Sequence, residues 1–205
     1  MTSMRPRLLC LHGLNSPGPW DLLTAIEPIA DLVVVVSGTD ETASSAREIF
    51  ESLDVAVYDD PDAAQAAEVT VDGVITYSEP QIPVAAELAH RWGLPGFSPN
   101  TARVLRSKLA QRRRLAESRC DDVAHLSART ADDVRRAAFL LGLPVVLKPD
   151  RGWGSREVRS IHTPAAVEEA ARGVDPAEAG GYLVERLLQG RNEPSFGDYV
   201  SVEVV

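Results

Sequence analysis

Lys108 and Lys148 are the two lysines in a sequence of 205 residues, and every other strongly basic side chain is an arginine. Lysine is a compact point charge on a flexible stem, and arginine is a planar fork, so sparing use of lysine marks both positions for inspection. Lys148 closes the apolar run 144–147 and is followed by Pro149, Asp150, Arg151, Gly152, Trp153, Gly154 and Ser155. A strand that hands a lysine to a loop with two glycines and a serine can cradle a polyphosphate. The glycines let backbone N–H groups approach phosphate oxygens, the serine adds a hydroxyl, and the lysine adds charge. Alone the loop is a weak signal, because any hairpin can carry two glycines. Trp153 could cover a nucleotide or simply pack.

The elements that must position these residues read as two kinds of α/β structure. Over the first hundred residues, short β-branched runs alternate with helical patterns, which predicts a parallel sheet. Strands are expected at 7–12, 32–37, 55–58 and 71–77, with a short fifth at 94–98. Helices are expected at 20–29, 42–53, 61–67 and 83–92, the last capped by Gly93. A strongly basic helix follows over 101–119, and the polar stretch 120–129 reads as a crossing between domains. Thr130 with Asp133 predicts a helix start of the capping-box type, ending at Gly142. Strands are then expected at 144–148 and 157–161 around the glycine loop, a helix after Thr163-Pro164, and strands at 182–187 and 199–205. The division is therefore 1–120, a parallel α/β domain, and 121–205, an α+β domain.

Composition excludes several classes. A formal net charge of −9 argues against general affinity for nucleic acid or anionic membranes. Arg112, Arg113 and Arg114, with Arg103, Arg106 and Arg119, lack interleaved aromatics and read as a solvated helix face. No membrane span or signal peptide is legible, so the expected location is cytoplasmic. Cys10 and Cys120 lie far apart, and His12, His90, His125 and His162 are dispersed, which leaves no metal site to propose. Leu11-His12-Gly13 could be an oxyanion-hole turn, but Gly96-Phe97-Ser98-Pro99-Asn100 is not a nucleophile elbow. Gly13 to Gly18 lacks the G-x-G-x-x-G spacing of a nicotinamide site.

Four segments, in order, resemble the ATP-grasp superfamily, specifically its carboxylate–amine ligases, which include L-amino acid ligases. Arg106-Ser107-Lys108, continuing to Gln111-Arg112, resembles the family's DK…R segment. Residues 144–158 resemble its lysine–proline–glycine loop. Residues 182–190 (YLVERLLQG) look like its adenine hinge, and 197–203 (GDYVSVE) like the strand beyond it. Both lysines fall on the family's phosphate-contacting positions.

The resemblance implies a Rossmann-like pre-ATP-grasp domain followed by the first part of an ATP-grasp α+β domain. It implies ATP as the bound nucleotide, with Lys108 and Lys148 on its phosphates and Gly152, Gly154 and Ser155 in the loop over them. Glu185 would accept the adenine amino group, and the backbones of Arg186 and Leu188 would form the hinge. For the ribose acid Asp198, Glu203 and Glu193 compete, because the insertion 192–196 blurs the register. The implied substrates are a small carboxylate and an amine, joined through an acyl phosphate. Relatives often form dimers, so a homodimer is the assembly the resemblance suggests.

Two departures matter. Glu157 stands where the family often has glycine, so the loop is expected to be stiffer or its return strand to begin earlier. The family's magnesium-ligating acid and asparagine lie beyond the segments matched, so no catalytic or metal-ligating role is assigned within residues 1–205. The apolar strand expected at 199–205 has no closing turn, which predicts a truncated chain, incomplete for catalysis. The alternative is a non-catalytic nucleotide- or partner-binding module.

Overall fold

The computed structural model describes residues 5–66, 69–152, 157–188 and 190. The chain divides into two compact units, Met1–Arg106 and Ser107–Val205.

In the first unit the described strands are β1 (Arg7–His12), β2 (Asp31–Val36), β3 (Ala56–Tyr58) and β4 (Gly73–Thr76). They form one parallel sheet in the order β3-β2-β1-β4. Between them run helices α1 (Pro19–Ile26), α2 (Glu41–Ser52) and α3 (Pro61–Ala66), followed by α4 (Ile82–Arg91) and α5 (Pro99–Leu105). β1 and β2 are continuous apolar runs because both sheet faces are covered. Cys10, Val34 and Val36 pack with Leu22, Ile26 and the fully buried Phe50. Leu9, Leu11, Val33 and Val35 pack on the other side with Leu88. Burial pushes the Cys10 thiol up to about 12, so it is an inert core residue.

Residues 94–98 do not form the expected fifth strand. Gly93 has φ +68 and ends α4 in a Schellman motif: its N–H donates to the carbonyl of His90, and the N–H of Leu94 donates to that of Ala89. The chain then turns through Pro95 and Gly96 to Ser98, whose Oγ caps α5 by accepting from the N–H of Thr101 (3.1 Å). The expected long basic helix is also two helices. Ser107 is extended (φ −123, ψ 114) and caps a new helix, α6 (Lys108–Glu117). The compact units part at this break, between Arg106 and Ser107, so α6 groups with the second unit.

In the second unit, among the described residues, β5 (His125–Ala128), β6 (Val145–Pro149), β7 (Arg159–Ile161) and β8 (Tyr182–Arg186) form an antiparallel sheet in the order β5-β8-β6-β7. β5 lies inside the stretch read as a polar crossing. Helices α7 (Ala131–Leu141) and α8 (Pro164–Arg172) cover one face of this sheet. Ala128, Val145, Leu147, Tyr182 and Val184 meet Val134, Ala137, Ala138, Val167, Ala170 and Ala171 there. The alternate residues point away from that core, as the pleat requires. The strand expected at 199–205 lies outside the described residues.

Both caps read from sequence form. Thr130 Oγ1 accepts from the N–H of Asp133 (3.2 Å), while Asp133 Oδ2 accepts from that of Thr130 (2.9 Å). Thr163 Oγ1 accepts from the N–H of Ala166 (3.3 Å) ahead of Pro164. Thr130→Ala removes half of the capping box and is expected to cost about 1 kcal/mol in urea unfolding, with Thr130→Ser nearly neutral. Equal unfolding midpoints for Thr130→Ala and the unaltered chain would contradict this.

Candidate functional site

The sheet face opposite α7 and α8 carries the paired charges Lys148 and Glu185. Val146 pairs with Glu185 and Lys148 with Leu183 across the β6–β8 ladder, which makes Lys148 and Glu185 diagonal neighbours on one face. Lys148 Nζ donates to Glu185 Oε1 at 2.6 Å. The other oxygen, Oε2, accepts from Arg112 Nε at 2.7 Å. Arg112 also donates through Nη1 to Asp121 Oδ2, and Asp121 Oδ1 accepts from the N–H of Val123 (2.7 Å). The Glu185 side chain is only 8% exposed, and those of Lys148 and Arg112 are about one-fifth exposed.

Lys108 and Arg112 are four residues apart on α6 and so share a helix face. Lys108 Nζ donates to the carbonyl oxygen of Gly152 at 3.0 Å. One helix face therefore brings one cation to the entrance of the glycine loop and another to Glu185. Burial alone would raise the Glu185 carboxyl. The hydrogen bonds from Arg112 and Lys148, with their charges, outweigh it and hold the carboxyl below its ordinary value of 4.5. Arg112 is pushed up, chiefly by its hydrogen bond to Glu185.

Of the residues expected from sequence, Lys148 and Glu185 meet directly, and Lys108 meets Gly152. At the end of β8 the N–H of Arg186 donates to the carbonyl of Ala124, and that of Leu187 to the carbonyl of Pro144. β8 thus stays hydrogen-bonded on both sides until Leu188, whose side chain is exposed. Gly154, Ser155, Asp198 and Glu203, with Trp153 and Glu193, lie outside the described residues. Arg112 was read as part of a solvated set, and that reading fails for it and for Arg106, which pairs with Glu79 at 2.8 Å, while Arg103, Arg113, Arg114 and Arg119 are exposed. The signal that could have found Arg112 was its four-residue spacing from Lys108.

Glu157 has φ +58, the left-handed conformation that glycine adopts without penalty. The glutamate keeps the glycine-like backbone, and the return strand begins at Arg159, no earlier than expected.

Among the described residues, no three acidic, histidine or cysteine side chains gather as a metal site. No described helix is long and apolar enough to cross a membrane.

No family model matches the chain. Among solved structures it superposes on an L-amino acid ligase from Bacillus licheniformis with a TM-score of 0.65 and 21% identity, over 92% of this chain and 46% of that one. On the ADP complex of an N5-carboxyaminoimidazole ribonucleotide synthetase the TM-score is 0.68 at 15% identity, covering 91% of this chain and 48% of that one. The fold is that of the N-terminal part of ATP-grasp proteins. In sequence, the ATP-grasp enzyme fsqD of Aspergillus fumigatus is 25% identical over 115 residues, 56% of this chain and 19% of that protein. The uncharacterized protein y4rH of Sinorhizobium fredii is 36% identical over 89 residues, 43% of this chain and 19% of that protein. The chain thus spans about half the length of the solved ATP-grasp ligases, and about a fifth of the curated relatives, that it matches.

Glu185→Gln removes the carboxylate paired with Lys148 and leaves Arg112 with Asp121 alone. It is expected to cost about 3 kcal/mol at neutral pH, the scale for breaking a buried pair. Because the folded carboxyl lies below 4.5, this stabilisation is full above 4.5 and is lost as pH falls through the lower folded value. Urea unfolding of both proteins at neutral pH and near pH 3 checks this, and a stability gap that stays constant with pH would refute it.

Proposed function

We propose that this chain is the ATP-binding portion of an ATP-grasp ligase that joins a carboxylate to an amine. The observation that carries the reading is the ionic cluster Lys148–Glu185–Arg112 on the sheet face opposite α7 and α8, with Lys108 of the same α6 face at the glycine loop. Lys148 and Lys108 meet the phosphates. Glu185 accepts the adenine amino group, because a carboxylate has about four lone-pair sites and only two are taken by its cations. The backbone of Arg186 and Leu188, where β8 leaves the sheet, forms the hinge. The loop residues Gly154 and Ser155 and the ribose acid, Asp198 or Glu203, complete the set proposed from sequence.

In the reaction, a carboxylate oxygen attacks the γ-phosphorus of ATP, the bond to the β-phosphate oxygen breaks, and ADP leaves. The amine then attacks the carbonyl carbon of the acyl phosphate. Phosphate departs with one former carboxylate oxygen, and the amine loses a proton. Two moderate steps replace a direct displacement of oxide, which is a very poor leaving group. The contribution of this chain's residues is to bind and orient the nucleotide.

Magnesium enters this reading from a biotin carboxylase domain dimer of Hydrogenobacter thermophilus, solved with MgADP and bicarbonate. The described residues offer no ligand set for it. That dimer also suggests a homodimer as the assembly here.

Calorimetry tests the nucleotide assignment. ATP is expected to bind in preference to GTP, which lacks the amino group that Glu185 reads. Lys148→Ala is expected to weaken ATP by about 1.5–3 kcal/mol, the range for a charge-assisted hydrogen bond. Equal affinity of ATP for the substituted and unaltered proteins would remove Lys148 from the site. In turnover, oxygen label must pass from the carboxylate to the released phosphate, and unlabelled phosphate would overturn the acyl-phosphate route.

A further inference from the structure

Asp150 stands where β6 gives way to the glycine loop, and it is 5% exposed. Its Oδ1 accepts from the backbone N–H of Leu109 (2.8 Å) and from the hydroxyl of Ser107 (2.9 Å). Its carbonyl accepts from the N–H of Lys108 (3.1 Å), and its own N–H donates to the carbonyl of Gly181 (2.8 Å). One residue thus ties the loop entrance both to the first turn of α6 and to the residue that precedes β8.

The same bonds close the N-terminus of α6. Ala110 N–H donates to Ser107 Oγ (3.0 Å) and Gln111 N–H to the carbonyl of Ser107 (2.9 Å), so the first four amides all have partners. Free amides at a helix start attract phosphate. Here a carboxylate already neutralises that end, so a phosphate must be met by the Lys108 side chain. Two residues beyond Asp150, Gly152 receives Lys108 Nζ. Gly180 (φ +90) makes the room: a Cβ there would come within 2.8 Å of Asp150 Oδ2.

We propose that Asp150 is a positioning residue for the polyphosphate end of the nucleotide site, latching the loop entrance to α6 so that Lys108 is aimed at the phosphates. This rests on the nucleotide reading above and adds to it a residue that touches no ligand. The latch acts on phosphate contacts and leaves the adenine end alone, because Glu185 is held by separate bonds to Lys148 and Arg112.

The test measures ATP and adenosine affinities by calorimetry and ligand-observed NMR for the unaltered chain, Asp150→Ala, Asp150→Asn, Ser107→Ala, Lys108→Ala and the Lys108/Asp150 double alanine variant. Asp150→Ala is expected to weaken ATP about tenfold, the size of one lost cap, and to leave adenosine unchanged. Asp150→Asn, which keeps an acceptor oxygen for both donors, should recover ATP binding to within about threefold, and Ser107→Ala should lose about as much. The double variant should bind ATP no more weakly than Lys108→Ala, since both changes disable one contact. If Asp150→Ala fails to fold, the asparagine and Ser107 variants decide by the same ATP-to-adenosine ratio. Unchanged ATP affinity in the variants, or equal losses for ATP and adenosine, would overturn the latch while leaving the nucleotide reading intact. An unaltered chain that binds neither ligand would overturn both.

Discussion

A carboxylate as enclosed as that of Glu185 must be paired, and it is paired twice, with Lys148 from the neighbouring strand and Arg112 from α6. Taking an ion of this size out of water costs several kcal/mol even after relaxation, and removing one partner strands the remaining charge. The arrangement of the second unit follows from this requirement. β6 must lie beside β8 in the register that puts Lys148 diagonal to Glu185. A slip of one residue would turn the lysine into the apolar layer under α7 and α8, where nothing could neutralise it. α6 must likewise present the face that carries Arg112, and the same face carries Lys108.

The two sheets solve different problems. The parallel sheet of the first unit is apolar on both faces, with Cys10 and Val34 on one and Leu9 and Val33 on the other, so polar groups are left to the ends of its strands. The antiparallel sheet buries only one face in its own core. Its pleat can therefore alternate Val145 and Leu147 inward with Val146 and Lys148 outward, which gives β6 its burial rhythm. A polar cluster can be built on such a face without breaking a core, and it is on this face that the lysine and glutamate meet.

What could be read from the residues beforehand was what local physics decides. The continuous apolar runs of β1 and β2 need two covered faces, and Thr130 and Thr163 can each satisfy an orphan amide without help from elsewhere. Gly93 was legible for the same reason, being the one residue type that takes a left-handed turn freely. The failures share a different cause. Leu94 looks like a strand start by composition, but its N–H is already committed to the carbonyl of Ala89. Helical propensity runs unbroken through 101–119, but Ser107 is held extended by bonds that reach Asp150, 43 residues away. β5 has little apolar content of its own and becomes a strand because β8 pairs with it. Arg112 differs from Arg113 and Arg114 only in the direction it points around α6, which no composition records.

The division of labour between lysine and arginine follows from the geometry that each position imposes. Arg112 serves two carboxylates from different parts of the chain, Glu185 through Nε and Asp121 through Nη1, and a planar fork with several fixed N–H directions suits that double pairing. It behaves as a brace: moving it would break two pairs at once. Lys148 is bonded to one oxygen of Glu185, and a single ammonium on a flexible stem can turn toward another anion with little rearrangement. Lys148 and Arg112 are balanced by Glu185 and Asp121, so the four charges sum to zero. Under the nucleotide reading proposed above, an arriving polyphosphate would meet one cation braced by two carboxylates and another held by a single bond. On that reading the difference in bracing, rather than the number of positive charges, would suit Lys148 to meet a ligand and Arg112 to hold the place where the ligand is met.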